Sequence, residues 1–170
     1  MMKSLYLLRH AKSDWDAVYD TDHDRPLSKR GRQNAEELKE FLEKRKLSFP
    51  LCLVSTSRRT RQTLEILEES KKLKFYKILK DPQIYEANYT ALINHLQEIS
   101  EDYAEILLIA HNPGLEELAN GLLQTRSLFQ KFPTSAFLSL HLDIHSWREL
   151  KNCEARLGFY WIPSRKKDET

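Results

Sequence analysis

The sequence predicts a single α/β domain with a largely parallel central sheet flanked by helices, and three observations support this. Apolar runs of strand length alternate with segments of helical periodicity, as successive βα units require. One run, residues 106–110, is continuously apolar, as a strand buried on both faces should be. The 170 residues suffice for one domain with a substantial core.

The elements follow in order. Residues 5–8 read as the first strand. Ser28 has the character of an N-cap, and Ala35, Leu38, Phe41 and Leu42 form a helical stripe ending in Lys44-Arg45-Lys46. Residues 51–54 are the second strand, followed by a helix bearing Thr63, Leu64 and Leu67. Residues 75–79 are a weaker strand closed by Asp81-Pro82, and Leu92, Ile93, Leu96 and Ile99 mark a third helix. After the 106–110 strand, Pro113 suits the first turn of a helix whose stripe is Leu115, Leu118, Ala119 and Leu122. The alternation at Ala136, Leu138, Leu140 and Leu142 places the next strand nearer an edge, and residues 155–162 form the last. The domain is expected over 1–162, with 163–170 a mobile tail lacking core residues.

Composition narrows the function. With 31% charged and 41% hydrophobic residues the chain is an ordinary soluble protein, and a net charge of +2 gives no reason to expect nucleic acid. Positive charge does cluster, at Lys29-Arg30-Gly31-Arg32, Arg58-Arg59-Thr60-Arg61 and Arg165-Lys166-Lys167; the first and last read as solvated surface. The two cysteines lack metal-type spacing and fit a reducing compartment. The first apolar run is too short for a signal peptide, and no run approaches a membrane span, so a cytoplasmic location is expected.

Three strands run into chemically loaded segments. Residues 5–8 lead into Arg9-His10-Ala11-Lys12-Ser13, residues 51–54 into Ser55-Thr56-Ser57-Arg58-Arg59, and residues 106–110 into His111-Asn112-Pro113-Gly114. If the strands are parallel neighbours, these segments share the edge where open α/β sheets bind ligands. Arginine forks match phosphoryl oxygens, and a histidine can serve as the nucleophile. The reading is phosphoryl transfer through a histidine.

Four motifs then occur in a telling order: Leu8-Arg9-His10-Ala11-Lys12-Ser13, Asp24-Arg25-Pro26-Leu27-Ser28 with Gly31, Ser55 through Thr63, and His111-Asn112-Pro113-Gly114. Together they resemble the histidine phosphatase (phosphoglycerate mutase-like) superfamily over nearly the whole chain. The alanine after His10, the Arg-Pro-Leu-Ser loop and the late Ser146-Trp147 are most similar to its SixA-type phosphohistidine phosphatase branch. The resemblance implies that His10 is the phosphorylated nucleophile and that Arg9, Arg59 and His111 complete the phosphate pocket, with Asn112 a further substrate-binding candidate. Thr56 departs from the proline frequent in the family at that position. Glu86 occupies a place similar to that of the proton-donating glutamate of phosphomonoester-cleaving relatives.

The chemistry accords with these residue types. Adjacent cations depress a histidine's pKa, so Arg9 and Arg59 would keep His10 neutral and nucleophilic while neutralising the transferring oxygens. A cationic pocket repels a divalent metal, and none is expected; nor is any cofactor. Asp20-Thr21-Asp22-His23-Asp24 is superficially similar to a calcium loop but lacks its glycine and closing glutamate. His23, His95, His141 and His145 are expected at the surface.

Only 24 residues separate Glu86 from His111, too few for a helix, a strand and a lid as well. An open site suits a phosphoryl group carried on another protein. The expected function is metal-free removal of phosphoryl groups from protein phosphohistidine. The rivals are a small-phosphomonoester phosphatase with Glu86 as general acid, and a non-catalytic phosphate-binding module.

Overall fold

Six strands and four helices carry the site in the computed structural model, which describes residues 2–124 and 131–164. In chain order they are β1 (Lys3–Arg9), α1 (Lys29–Lys44), β2 (Ser48–Ser55), α2 (Arg58–Glu68), β3 (Lys74–Asp81), α3 (Tyr89–Gln97), β4 (Glu105–Ala110), α4 (Gly114–Leu122), β5 (Phe137–Leu142) and β6 (Ala155–Trp161). The sheet order is β3-β2-β4-β1-β5-β6. β1, β2, β3 and β4 are mutually parallel, while β5 runs antiparallel to β1 and to β6.

Strand alternation sorts the core into two layers. Leu5 and Leu7 of β1 join Ile106 and Leu108 of β4 beneath α3 and α4, where Leu92, Leu96, Leu115 and Leu118 cover them. Tyr6 and Leu8, with Leu107 and Ile109, face the other way onto Leu38 and Leu42 of α1 and Leu64 and Leu67 of α2. β4 is thus buried on both faces between β1 and β2, as its unbroken apolar sequence requires.

β1 and β4 are neighbours in register, Arg9 opposite Ala110, yet their chains leave in opposite directions. The chain after β1 passes to α1 on one face, and the chain after β4 passes to α4 on the other. Such a switch point opens a crevice beyond the strand ends.

Several boundaries differ from the sequence reading. β1 runs to Arg9, placing that arginine in the sheet rather than after it. β2 begins at Ser48 because Phe49 is fully buried; Pro50, which has no N–H to give, is skipped in the pairing with β3. The edge position belongs to β6, with β5 one strand inside it. Pro113 caps α4 rather than opening its first turn. Of the tail expected to be mobile, Ser164 donates its N–H to Glu37 at 3.0 Å, and residues 165–170 lie outside the described residues.

Candidate active site

The loop after β1 is fixed from three sides. Ala11 is fully buried against Leu27, Ala35 and Ile66, and its N–H donates to Thr63 Oγ1 of α2 at 3.0 Å. The Lys12 carbonyl accepts from both the N–H and the hydroxyl of Ser28, the α1 N-cap. Gly31 lies so close to that carbonyl that a Cβ would collide with it, so a side chain here would force the helix off the loop. On the other flank, the Ser135 N–H donates to the carbonyls of Arg9 and His10 at 3.1 Å each.

Held this way, His10 lies 6% exposed with its ring 5.2 Å from that of His111. Its Nδ1 is 2.7 Å from the Ala11 carbonyl oxygen. A carbonyl only accepts, so Nδ1 carries the proton and the free lone pair falls to Nε2. Burial, with His111, Arg59 and Arg9 as neighbours, pushes the His10 pKa well below the usual histidine value. His111 is lowered to about 3, by burial first and then by the Arg59 charge. Both rings are neutral at physiological pH. Ser55 Oγ, 2.8 Å from His111 Nε2, fixes the second ring at the end of β2.

The expected residues His10, Arg9, Arg59, His111, Glu86 and Asn112 all line one cleft of about 860 Å³. Arg9 Nη1 donates to the Phe132 carbonyl at 3.0 Å, while Arg59 reaches back to Asp22, through Nη1 to its carbonyl at 2.8 Å and through Nη2 to Oδ2 at 3.0 Å. In both arginines the Nε is buried and has no partner among the described residues. Buried donors of this kind are normally satisfied, so an anion in the cleft is the natural acceptor.

The sequence reading missed part of the site. Arg25 is 5% exposed and lines the cleft, with its own Nε buried and unpartnered. It donates to Ser13 Oγ and to Asp22 Oδ1, and its guanidinium stacks 3.6 Å from the Trp15 ring centroid. Asp22 ties Arg25, Arg59 and the Tyr85 hydroxyl together. Burial opposes its charge, but hydrogen bonds from Tyr85 and Arg25 and the Arg59 charge hold its carboxyl well below the usual range. The Asp22 loop that resembled a calcium site is therefore a carboxylate clasp for two arginines. Arg25 opens the Arg-Pro-Leu-Ser loop, and the aspartate-rich stretch before it is the available sequence signal.

Two residues expected at the surface remain solvent-accessible but also take part in the surroundings of the site. His23, partly exposed, bonds Thr56 Oγ1 at 2.8 Å and lies edge-on to Tyr85, because the Asp22 loop packs on the start of α2. Arg30, from the first basic cluster, is exposed as expected and lines the mouth of the cleft, since Gly31 lets α1 pack against Lys12.

Asn112 and Glu86 take distinct positions. Asn112 Nδ2 donates to the Phe132 carbonyl at 2.7 Å and approaches Glu116 at 3.5 Å, so both its N–H groups are occupied. Phe132 is anchored in turn by its N–H to Glu116 at 3.2 Å. Glu86 lines the cleft in a left-handed backbone conformation, φ 58°, uncommon for a residue with a side chain. Among the described residues, no group of three or more His, Cys, Asp or Glu side chains is arranged to hold a metal ion. No described helix is long and apolar enough to cross a membrane.

Comparison with known proteins accords with this geometry. The sequence model of the histidine phosphatase superfamily (branch 1) matches residues 5–128. An uncharacterised chloroplastic protein of Arabidopsis thaliana is 33% identical over 155 residues, spanning 86% of this chain and 70% of its own. The fold is similar to that of a SixA protein from Agrobacterium tumefaciens, with TM-score 0.79, 26% identity, and coverage of 95% of this chain and 99% of that one. It is also similar to the protein histidine phosphatase SixA solved with tungstate, with TM-score 0.72, 23% identity, and coverage of 92% and 95%. The chain belongs to the histidine phosphatase superfamily, in its SixA-type branch, and is a phosphatase.

Proposed function

We propose that this phosphatase works through a phosphorylated His10 and that its substrate is phosphohistidine in a protein. The observation that carries the reading is the neutral Nε2 lone pair of His10 in a cleft with three buried, unpartnered arginine Nε donors. In the first step Nε2 attacks phosphorus, and the bond from phosphorus to the leaving imidazole nitrogen breaks with its electron pair. A substrate imidazole protonated on its other nitrogen leaves neutral and requires no acid. Water then attacks the phosphorus of phospho-His10, releasing phosphate and restoring the Nε2 lone pair.

Arg9, Arg25 and Arg59 neutralise the equatorial oxygens throughout, which is most of what phosphoryl transfer asks of a protein. With Ser55 donating to His111 Nε2, His111 Nδ1–H is free to donate to the same oxygens. Asn112 acts one step back, sharing the Phe132 carbonyl with Arg9 and so positioning it. No resident metal is assigned, because three guanidinium groups already supply the positive charge. Tungstate, with which SixA was solved, is an oxyanion of suitable shape for this pocket. The two cysteines are free and buried, which supports a reducing compartment such as the cytoplasm.

A second reading rests on Glu86, whose carboxylate lines the cleft and could protonate an alkoxide leaving group. The deciding experiment compares hydrolysis of a phosphohistidine protein with that of a panel of phosphomonoesters, in excess EDTA, and traps the intermediate by alkaline quench. The expected result is an acid-labile phosphoryl group on His10, absent in His10→Ala, with phosphohistidine preferred. Preference for an alkyl phosphate would favour the second reading, and turnover of neither would leave a phosphate-binding module.

A further inference from the structure

Phosphoryl transfer accounts for only one end of the cleft. At roughly 30 Å³ per water-sized group, a phosphoryl group fills about 100 Å³. The cleft of about 860 Å³ continues past Lys12, Arg30 and Asn34. Its far side, at Glu86 and Ala87, lies against the start of α4, where a Cβ on Gly114 would meet the Ala87 carbonyl. One flank is therefore cationic and the other carries a carboxylate.

The cationic flank runs against a local rule. α1 opens with Lys29, Arg30 and Arg32 and has no acidic residue in its first turn. The helix N-terminus is its positive end, where carboxylates stabilise and cations are repelled. Lys12 adds a further positive charge, exposed and without an ion-pair partner among the described residues. Violations of local preference concentrate where a function is served. Trp15, 69% exposed, also lines the cleft, on the loop that Arg25 holds by stacking under its ring.

We propose that Lys12, Arg30 and Asn34 form a second anion-binding subsite, which takes a carboxylate from an acidic protein surface beside the phosphorylated residue, with Trp15 as its apolar contact. This rests on the reading of a protein substrate. Charge complementarity specifies the partner: the subsite selects phosphohistidines set among glutamates and aspartates, and the Glu86 flank disfavours the opposite orientation.

The test uses two peptides with the same central phosphohistidine, one flanked by glutamates and one by glutamines, and a third flanked by lysines for the charge-reversed variant. Each is measured as a substrate and as a competitor of p-nitrophenyl phosphate hydrolysis, so the preference is read whether or not the peptide is cleaved. The wild type should favour the glutamate peptide by about tenfold at low salt, with the preference shrinking in high salt. Lys12→Glu with Arg30→Glu should reverse it toward a lysine-flanked peptide, an outcome that misfolding cannot produce. Equal handling of both peptides by the wild type, or an unchanged preference in the double variant, would overturn the subsite. Matched phosphoserine peptides separate the two claims. If only they are cleaved, the phosphohistidine reading fails, while the flank preference still decides the subsite.

Discussion

Replacing Asp22 with asparagine tests the clasp that holds the cleft's arginines. The substitution keeps the size of the side chain and removes the charge shared by Arg25, Arg59 and the Tyr85 hydroxyl, at 2.9, 3.0 and 2.6 Å. Stripping one partner from a fully buried ion pair costs about 3–5 kcal/mol. The arginine side chains are only 6% exposed, but that of Asp22 is 43% exposed, so solvent screens much of the loss. About 1–2 kcal/mol is the reasonable share. For a chain of this length that lowers Tm by about 2–8 °C.

The same change should strengthen oxyanion binding, because Asp22 competes with the ligand for the guanidinium groups. Removing a negative charge a few ångströms away, in a medium between protein and water, is worth about 0.7–1.4 kcal/mol, or about 3–10-fold in Kd. Thermal melts of both proteins across a tungstate titration measure the two effects together. Asp22→Asn should start lower and gain more from each increment of tungstate. A variant that melts like the wild type, or binds tungstate no more tightly, would show that Asp22 does not restrain the arginines.

Other outcomes follow from the same geometry. Arg59→Ala and His111→Ala should each lower turnover by about 10²-fold or more, as for the loss of a preorganised oxyanion donor. Arg58→Ala and Arg61→Ala should change it little, since Arg58 is exposed and Arg61 Nε is committed to the Thr56 carbonyl; steady-state kinetics of the four variants decides. Glu86→Gln should leave phosphohistidine cleavage nearly intact and slow any alkyl ester by about 10²–10⁴-fold. A large loss on phosphohistidine would refute that division. Stability should fall as pH drops below about 6.5, where the unfolded chain protonates His10 and His111 while the folded protein, with His111 at about 3, does not. Above that pH both states hold neutral rings and the effect vanishes. Asp22, depressed in the fold, adds a loss in the same direction as pH falls below the ordinary carboxylate range. Denaturant unfolding against pH should therefore show a limb below 6.5 that is shallower in His111→Gln.

The sequence alone determined the fold class, because the signals that set it are periodic and local. The continuous apolar run of β4, the stripe from Ala35 to Leu42 and the Ser28 cap each follow from a few neighbouring residues. It also marked His10, Arg9, Arg59 and His111 as site candidates, since they lie at or shortly beyond the ends of strand-forming runs expected to share one edge. The tertiary structure decided what those residues do to one another. That Asp22 clasps Arg59, that Arg25 enters the cleft, and that Asn112 spends its amide on Phe132 are contacts across 37, 12 and 20 residues of chain. Local patterning is silent about such pairs. Gly31 could be read as a helical glycine, but its reason is the Lys12 carbonyl pressed against it. Burial made the two histidines neutral in the same way, because desolvation depends on what packs around a ring and not on its neighbours in sequence.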